Sequence, residues 1–120
     1  MSTYVDGFVI PIPKDKIEEY RKVAEQAGAV WREHGALDYY ECIGDDMETN
    51  DMVSFPQLAN AGPDETVAFS WIVYKSREHR DEVNAKVMAD PRLSEMMSEP
   101  NQIFDCKRMA YGGFNVLVHA

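Results

Sequence analysis

The stretch from Thr66 to Tyr74, TVAFSWIVY, sets the strongest limit on what this chain can become. Its β-branched and aromatic content reads as a strand. Alternation places Val67, Phe69, Trp71 and Val73 on one face and Ala68, Ile72 and Tyr74 on the other, so the strand is apolar on both sides. One layer of helices covers only one face of a sheet. The second face of this strand therefore calls for a further covering surface.

The flanking sequence supplies the rest of the sheet and its helices. Tyr4 to Ile12 is apolar and β-branched, interrupted by Gly7 and closed by Pro11 and Pro13, and reads as a first strand. Asp15 with Glu18 has the spacing of a capping box. Ile17, Tyr20, Ala24, Ala27 and Trp31 then recur at helical intervals, with Tyr20, Ala27 and Trp31 as the packing layer. Glu18 and Lys22 form an i,i+4 pair on the wet side, and Gly35 is a natural stop. Ala36 to Ile43 reads as a second strand ending in Gly44-Asp45-Asp46. The acidic segment 44–64 is long for a structureless loop, so Met52 to Phe55 is expected to pair briefly or dock. After Ser76 a second helix runs to about Ala89. A short helical turn through Leu93, Met96 and Met97 follows, with a break at Pro100. Lys107 to Val118 closes the chain as a strand, with Gly112-Gly113 marking a bulge or kink.

The order β-α-β-β-α-β predicts one α+β domain over residues 1–120, a ferredoxin-like fold with a four-stranded antiparallel sheet and two helices on one face. Apolar residues such as Ile10, Phe69, Trp71 and Val116 fall on both sheet faces. A homodimer joined through the open sheet faces is the expected cover.

Composition narrows the partners. A net charge of −9 and a pI near 4.7 oppose binding to nucleic acid or to an anionic membrane. No apolar run approaches the ~18–20 residues of a membrane span. The N-terminus has no basic region before its apolar stretch and reads as a strand rather than a signal peptide, so a cytoplasmic location is expected. Cys42 and Cys106 are too few and too far apart for a disulfide framework. His34, His79 and His119 show no metal-ligand spacing, and Asp45-Asp46 with Glu48 lacks a calcium-loop pattern; neither metal nor cofactor is expected. Tyr111-Gly112-Gly113-Phe114-Asn115-Val116 superficially resembles an RNA-binding aromatic box, but it lies on the last strand, lacks the basic start and sits in an acidic chain.

The chemistry concentrates at the start of the second helix. Ser76 is a cap, and Arg77, His79 and Arg80 place donors beside a helix N-terminus, a setting for a small anion or enolate. The same arginines can instead pair with Asp45, Asp46 or Asp81. His79 has the ordinary pKa range of a general base, with Arg80 to handle charge, or else it is structural. Asn84, one turn past Arg80, completes a polar wall or lies on the helix surface. Trp71 and Tyr39 either floor a pocket for a planar substrate or belong to the core. Asp6 and Glu41 are strand acids whose simpler placement is outward.

Many separated short motifs occur in a characteristic order: Glu41-Cys42-Ile43-Gly44-Asp45-Asp46, Ser54-Phe55-Pro56, Phe69-Ser70-Trp71-Ile72, Ser76-Arg77, His79-Arg80-Asp81, Asn84, Lys86-Val87-Met88, Asp90-Pro91-Arg92, Lys107-Arg108-Met109 and Gly112-Gly113-Phe114. Together they resemble the YbaA-like family, domain of unknown function 1428, over almost the whole chain. The resemblance implies the dimeric α/β-barrel superfamily, in which two ferredoxin-like subunits join sheets. That superfamily spans cofactor-independent monooxygenases, haem degraders, lactone isomerases and stress-response proteins, so the fold alone selects no reaction. Haem degraders carry a first-strand Asn and a Trp and a His on the second helix. Here Val83 and Leu93 stand about where the Trp and His would be and the first strand has no Asn, which speaks against that activity. Two readings follow. One is a monooxygenase-like or isomerase-like enzyme acting on a small aromatic or enolisable substrate, with His79 and Arg80 catalytic and Ser76, Arg77, Asn84, Trp71 and Tyr39 in binding. The other is a non-catalytic ligand-binding or protein-interaction dimer using the acidic 44–64 segment.

Overall fold

The computed structural model describes residues 3–97, 103 and 105–120. Its strands are β1 (Tyr4–Pro13), β2 (Asp38–Ile43), β3 (Glu65–Tyr74) and β4 (Ala110–Asn115); its helices are α1 (Ile17–Glu33), α2 (Phe55–Ala59), α3 (Arg77–Met88) and α4 (Pro91–Met97). The sheet runs β2-β3-β1-β4 with every neighbouring pair antiparallel. This is the α+β, ferredoxin-like arrangement expected from the element order, with α2 and α4 as short additions.

Register decides which side chains meet. Tyr4 pairs with Tyr74, Asp6 with Ile72, Phe8 with Ser70 and Ile10 with Ala68, so these residues share one face. Tyr4, Val30, Ala36, Ile72, Tyr74, Val83 and Val87 form the main core there, joined by Phe8, Trp31, Tyr39, Leu93 and Met96. A second cluster of Ile10, Ile12 and Ala68 takes in Tyr20 and Met109. The opposite face keeps large aromatics in the open: Tyr40 is 48% exposed, Phe69 42% and Phe114 60%. Tyr40 and Phe69 belong to a continuous run, with Tyr40 stacked on Trp71 at 4.8 Å, Trp71 against Phe69 at 5.4 Å, and Phe69 against Phe55 at 5.8 Å.

Several local expectations change for identifiable reasons. Asp15 does not cap α1. The chain leaves β1 through a 3-10 turn, Lys14–Lys16, tied down by a hydrogen bond from the Lys14 amide to the Asp64 carbonyl at 2.9 Å, and α1 starts without a side-chain cap. Glu18 pairs with Arg21 at 3.2 Å, one position short of Lys22. Gly35 adopts φ +118° just past α1, where a side chain would be strained.

Within 44–64 the expected docking segment becomes α2. The Ser54 hydroxyl accepts from the Gln57 amide at 3.2 Å, while the Gln57 side chain accepts from the Ser54 amide at 3.1 Å, a reciprocal capping box. The last strand begins at Ala110 rather than Lys107, because Asp105 accepts from the Lys107 amide and folds Cys106–Arg108 into a 3-10 turn. The break expected at Pro100 lies outside the described residues.

Gly112 and Gly113 mark no bulge: the β1–β4 register runs unbroken from Tyr4↔Asn115 to Val9↔Ala110. Gly113 is needed for a different reason. A Cβ there would land on the Tyr4 hydroxyl and 2.8 Å from its ring. Gly113→Ala should therefore cost about 1–3 kcal/mol in urea unfolding, the usual range for overpacking. Gly112→Ala, whose Cβ would meet only the Phe114 ring at 3.7 Å, should cost much less. Equal losses would show that contact with Tyr4 is not what makes Gly113 necessary.

Candidate functional site

The first turn of α3 holds itself together before it holds anything else. The Ser76 hydroxyl accepts from the His79 amide at 3.1 Å, and His79 Nδ1 accepts from the Lys75 amide at 3.0 Å. The His79 ring stands edge-on to Tyr74, with centroids 6.0 Å apart. Ser76 and His79 thus form a small closed motif at the strand-to-helix junction. Arg77 is exposed.

Arg80 turns inward. Its guanidinium pairs with Asp6 Oδ1 at 3.0 Å, donates to the Tyr111 hydroxyl at 2.6 Å and lies 5.1 Å over the Tyr4 ring; Nε sits 2.9 Å from Asp81 Oδ1. Its charge is committed to these partners. Of the expected acidic partners, Asp81 takes part. Asn84 faces inward, and its Oδ1 accepts from Trp31 Nε1 at 3.2 Å and from the Tyr74 hydroxyl at 3.3 Å, joining α3, α1 and β3.

The two strand acids point inward, against the simpler expectation. Asp6 falls between Tyr4 and Phe8 on the covered face because the register that buries those aromatics leaves it no other side, and it is 1% exposed. One oxygen meets Arg80 and the other, Oδ2, has no hydrogen-bond partner. Burial pushes its pKa above the ordinary carboxylate value, opposed by the Arg80 charge and less strongly by the polar ends of Tyr111, Asn84 and Tyr74.

Glu41 sits next to open space. β2 pairs Tyr39 with Ile72 and Glu41 with Ser70, which puts Tyr39 and Glu41 under the helices, whereas Tyr40 opposite Trp71 lies on the open face. Tyr39 and Trp71 are therefore on opposite sides of the sheet and do not floor one pocket. The Tyr20 hydroxyl donates to Glu41 Oε1 and the Tyr39 hydroxyl to Oε2, each at 2.6 Å. Burial, and then the Glu41 charge, raise both phenol pKa values far above normal, so both tyrosines remain donors. Tyr39 reaches this position because Gly28 presents no side chain; a Cβ there would lie 2.9 Å from the ring.

This triad stands where two spaces meet. Outside is a cleft of about 320 Å³ edged by Ile17, Arg21, Glu25, Cys42 and Ile43. Inside, between α1 and the sheet, is a cavity of about 130 Å³ walled by Phe8, Ile10, Trp31, Ile72, Leu93 and Met109. Tyr20, Ala24, Tyr39 and Glu41 line both. Of the residues expected in a site, Tyr39 lines this cavity, and Asn84 touches it only through Trp31. Ser76, Arg77, His79, Arg80 and Trp71 stand apart from it. Glu41 and Tyr20 are the additions, and a usable signal existed: Tyr39 and Glu41 alternate onto one strand face, and Tyr20 heads the helical stripe that covers it. Among the described residues no group of three or more His, Cys, Asp or Glu side chains is placed to hold a metal.

The raised Asp6 pKa gives a pH dependence with a definite sign. The folded value lies above the unfolded one, so the stability contribution is full below the unfolded value, near ~3.9, and is lost as pH rises through the folded value. Asp6→Asn mimics the neutral form. Its melting temperature relative to wild type should improve as pH rises from about 4 to about 7. The opposite trend would show that pairing with Arg80 outweighs burial.

Comparison with known proteins agrees with the fold. Residues 3–106 match the family described as protein of unknown function, DUF1428. The chain is 43% identical over 115 residues to the "Uncharacterized protein YbaA" of Escherichia coli strain K12, covering 96% of this chain and 97% of that protein, and it matches the Shigella flexneri protein of the same name equally well. Among solved structures, a NIPSNAP family protein with unknown function from Agrobacterium tumefaciens superposes with a TM-score of 0.58 at 19% identity, covering 95% of this chain and 87% of that one. That likeness concerns the fold alone. The chain belongs to the YbaA-like DUF1428 family.

Proposed function

We propose that this chain is a homodimeric enzyme of the isomerase-like or cofactor-independent monooxygenase-like kind, acting on a small aromatic or enolisable molecule held in the cavity beside Glu41. The observation that carries this reading is a single carboxylate set in a largely apolar cavity and held by two tyrosine hydroxyls at 2.6 Å. A carboxylate in such a place can take a proton from an acidic C–H or O–H. The electron pair left behind moves to the substrate oxygen as an enolate or phenolate. As Glu41 becomes neutral it accepts less strongly, and Tyr20 or Tyr39 turns its O–H to the new oxyanion. Isomerisation ends when Glu41 returns the proton at another atom; oxygenation would require dioxygen as the second reactant. In this reading His79 and Arg80, the residues expected to be catalytic, serve the start of α3 instead, His79 in its cap and Arg80 in the pair with Asp6. The engagement of Arg80 also favours an aromatic over an anionic ligand.

The dimer belongs to the same proposal. The exposed run Tyr40, Trp71, Phe69 and Phe55 is suited to burial against a second copy, sheet face to sheet face. The acidic charge supports the absence of nucleic-acid and membrane partners. Among the described residues no helix is long and apolar enough to cross a membrane, and a cytoplasmic setting remains part of the proposal. A non-catalytic interaction dimer is the second reading, favoured by the exposed Met52 and Val53 just before α2 and Leu58 within it. Binding of a partner that survives Glu41→Gln and fails when Asp45 and Asp46 are neutralised would select it.

Two experiments test the main reading. Solvent-deuterium exchange into a panel of 1,3-diketones and phenols, followed by NMR, should be accelerated by the wild type and should fall by about 10²-fold or more in Glu41→Gln, the range of general-base contributions. Equal rates for the two proteins would overturn the role of Glu41; loss in His79→Ala alone would return it to the α3 turn. Sedimentation should show a dimer that Trp71→Glu converts to a monomer, and a monomeric wild type would overturn the assembly.

A further inference from the structure

We infer that the inner cavity takes a single six-membered aromatic ring carrying a hydrogen-bond donor, a phenol in the simplest case, whose O–H displaces one tyrosine hydroxyl from Glu41. This rests on the reading of Glu41 given above and narrows it to a substrate class.

Size makes the first cut. At about 130 Å³ the cavity is close to the roughly 150 Å³ of an apolar protein cavity that takes up benzene, so it accommodates one ring, and a fused second ring would have to project past the Tyr20–Glu41 contact into the outer cleft. Apart from the hydroxyls of Tyr20, Tyr39 and Ser70 its walls are apolar and aromatic, with Phe8 and Trp31 placed to contact a ring. Polarity makes the second cut. Glu41 is the only charged side chain lining this space among the described residues, and it is an acceptor. A ligand carboxylate would put a second negative charge beside it in an apolar setting, which is strongly unfavourable. A ligand O–H does the reverse, since it donates to Glu41 as the tyrosines do.

The exchange leaves no group unsatisfied. When the phenol O–H takes the place of the Tyr20 or Tyr39 hydroxyl, the displaced tyrosine can donate to the phenol oxygen, so Glu41 still receives two hydrogen bonds and the tyrosine keeps an acceptor. Tyr20 is the one with the freer path. It comes from α1 at the shared rim of cleft and cavity, whereas Tyr39 is pressed against Gly28. The outer cleft is then the entrance, and the Tyr20–Glu41 hydrogen bond is what opens.

Ligand-observed NMR titrations of the purified full-length chain at about pH 7 with phenol, toluene, benzoate and 1-naphthol test this. Phenol should bind about tenfold or more tightly than toluene, as a hydrogen bond to a charged group allows, with benzoate and 1-naphthol showing no binding at the same concentrations. Ala27→Leu, which adds volume to the cavity wall at a helical position, should abolish phenol binding while circular dichroism shows the fold intact; Glu41→Gln should bring phenol to the level of toluene. Benzoate binding as well as phenol, 1-naphthol binding as well as phenol, no binding of phenol, or phenol binding untouched by Ala27→Leu would each overturn the inference. The two proposals separate cleanly. Glu41-dependent exchange without phenol binding would sink this inference and leave the enzymatic reading, whereas phenol binding without any exchange would do the opposite.

Discussion

Two carboxylates on the covered face of the sheet impose the constraint that the rest of the structure answers. A charge moved out of water into an apolar layer must be met by partners or be neutralised. Asp6 is met by Arg80, and that demand draws the first turn of α3 down onto β1 and β4, with Tyr4 and Tyr111 packed around the guanidinium. Glu41 is met by two tyrosine hydroxyls, and that demand ties α1 to β2 through Tyr20. Each of the two long helices is thus fastened to the sheet at an inward-facing carboxylate, with Asn84 adding a second polar link from α3 to Tyr74, and the apolar stripes fill in between.

The two solutions differ in what they leave available. Asp6 lines neither the cleft nor the cavity beside Glu41 and is paired with a cation, so the group is a structural device whose protonation tunes stability. Around Glu41 the partners are neutral donors rather than a cation, so moving one of them away strands no charge on the partner. An arginine in their place would have sealed the carboxylate into a permanent pair. Neutral donors and adjoining empty space are why the proposed chemistry is assigned to Glu41, although Asp6 is the more deeply buried acid.

The fold was legible because it rests on periodicity: the alternation in Thr66–Tyr74 and the helical stripe from Ile17 to Trp31 each locate an element and its buried face. The site was less legible because it rests on which strand residues face inward once registers are set. Polar strand residues are usually outward, and that prior misplaces both Asp6 and Glu41. Only the pairing of β1 with β3 and of β2 with β3 turns them under the helices. The cluster of Ser76, Arg77, His79 and Arg80 stood out as chemistry because its residue types are reactive, yet three of its members serve the helix cap or the Asp6 pair. Gly113 shows the same limit: a glycine pair in a strand suggests a bulge, whereas the need here is clearance for a tyrosine on the neighbouring strand.

The double-faced strand that constrains the fold also connects the open face to the cavity. β2 is an edge strand with a single neighbour in the sheet, so its order depends on packing above and below. Its alternate residues divide that work: Tyr39 and Glu41 form the cavity wall, while Tyr40 stacks on Trp71 across the sheet and Cys42 lies opposite Phe69. Any surface that buries the Tyr40–Trp71–Phe69 run removes water from one side of β2 and restricts the strand that carries Glu41 on the other. Covering the open face and fixing the position of the acid are then one mechanical event seen from two sides of a sheet one residue thick.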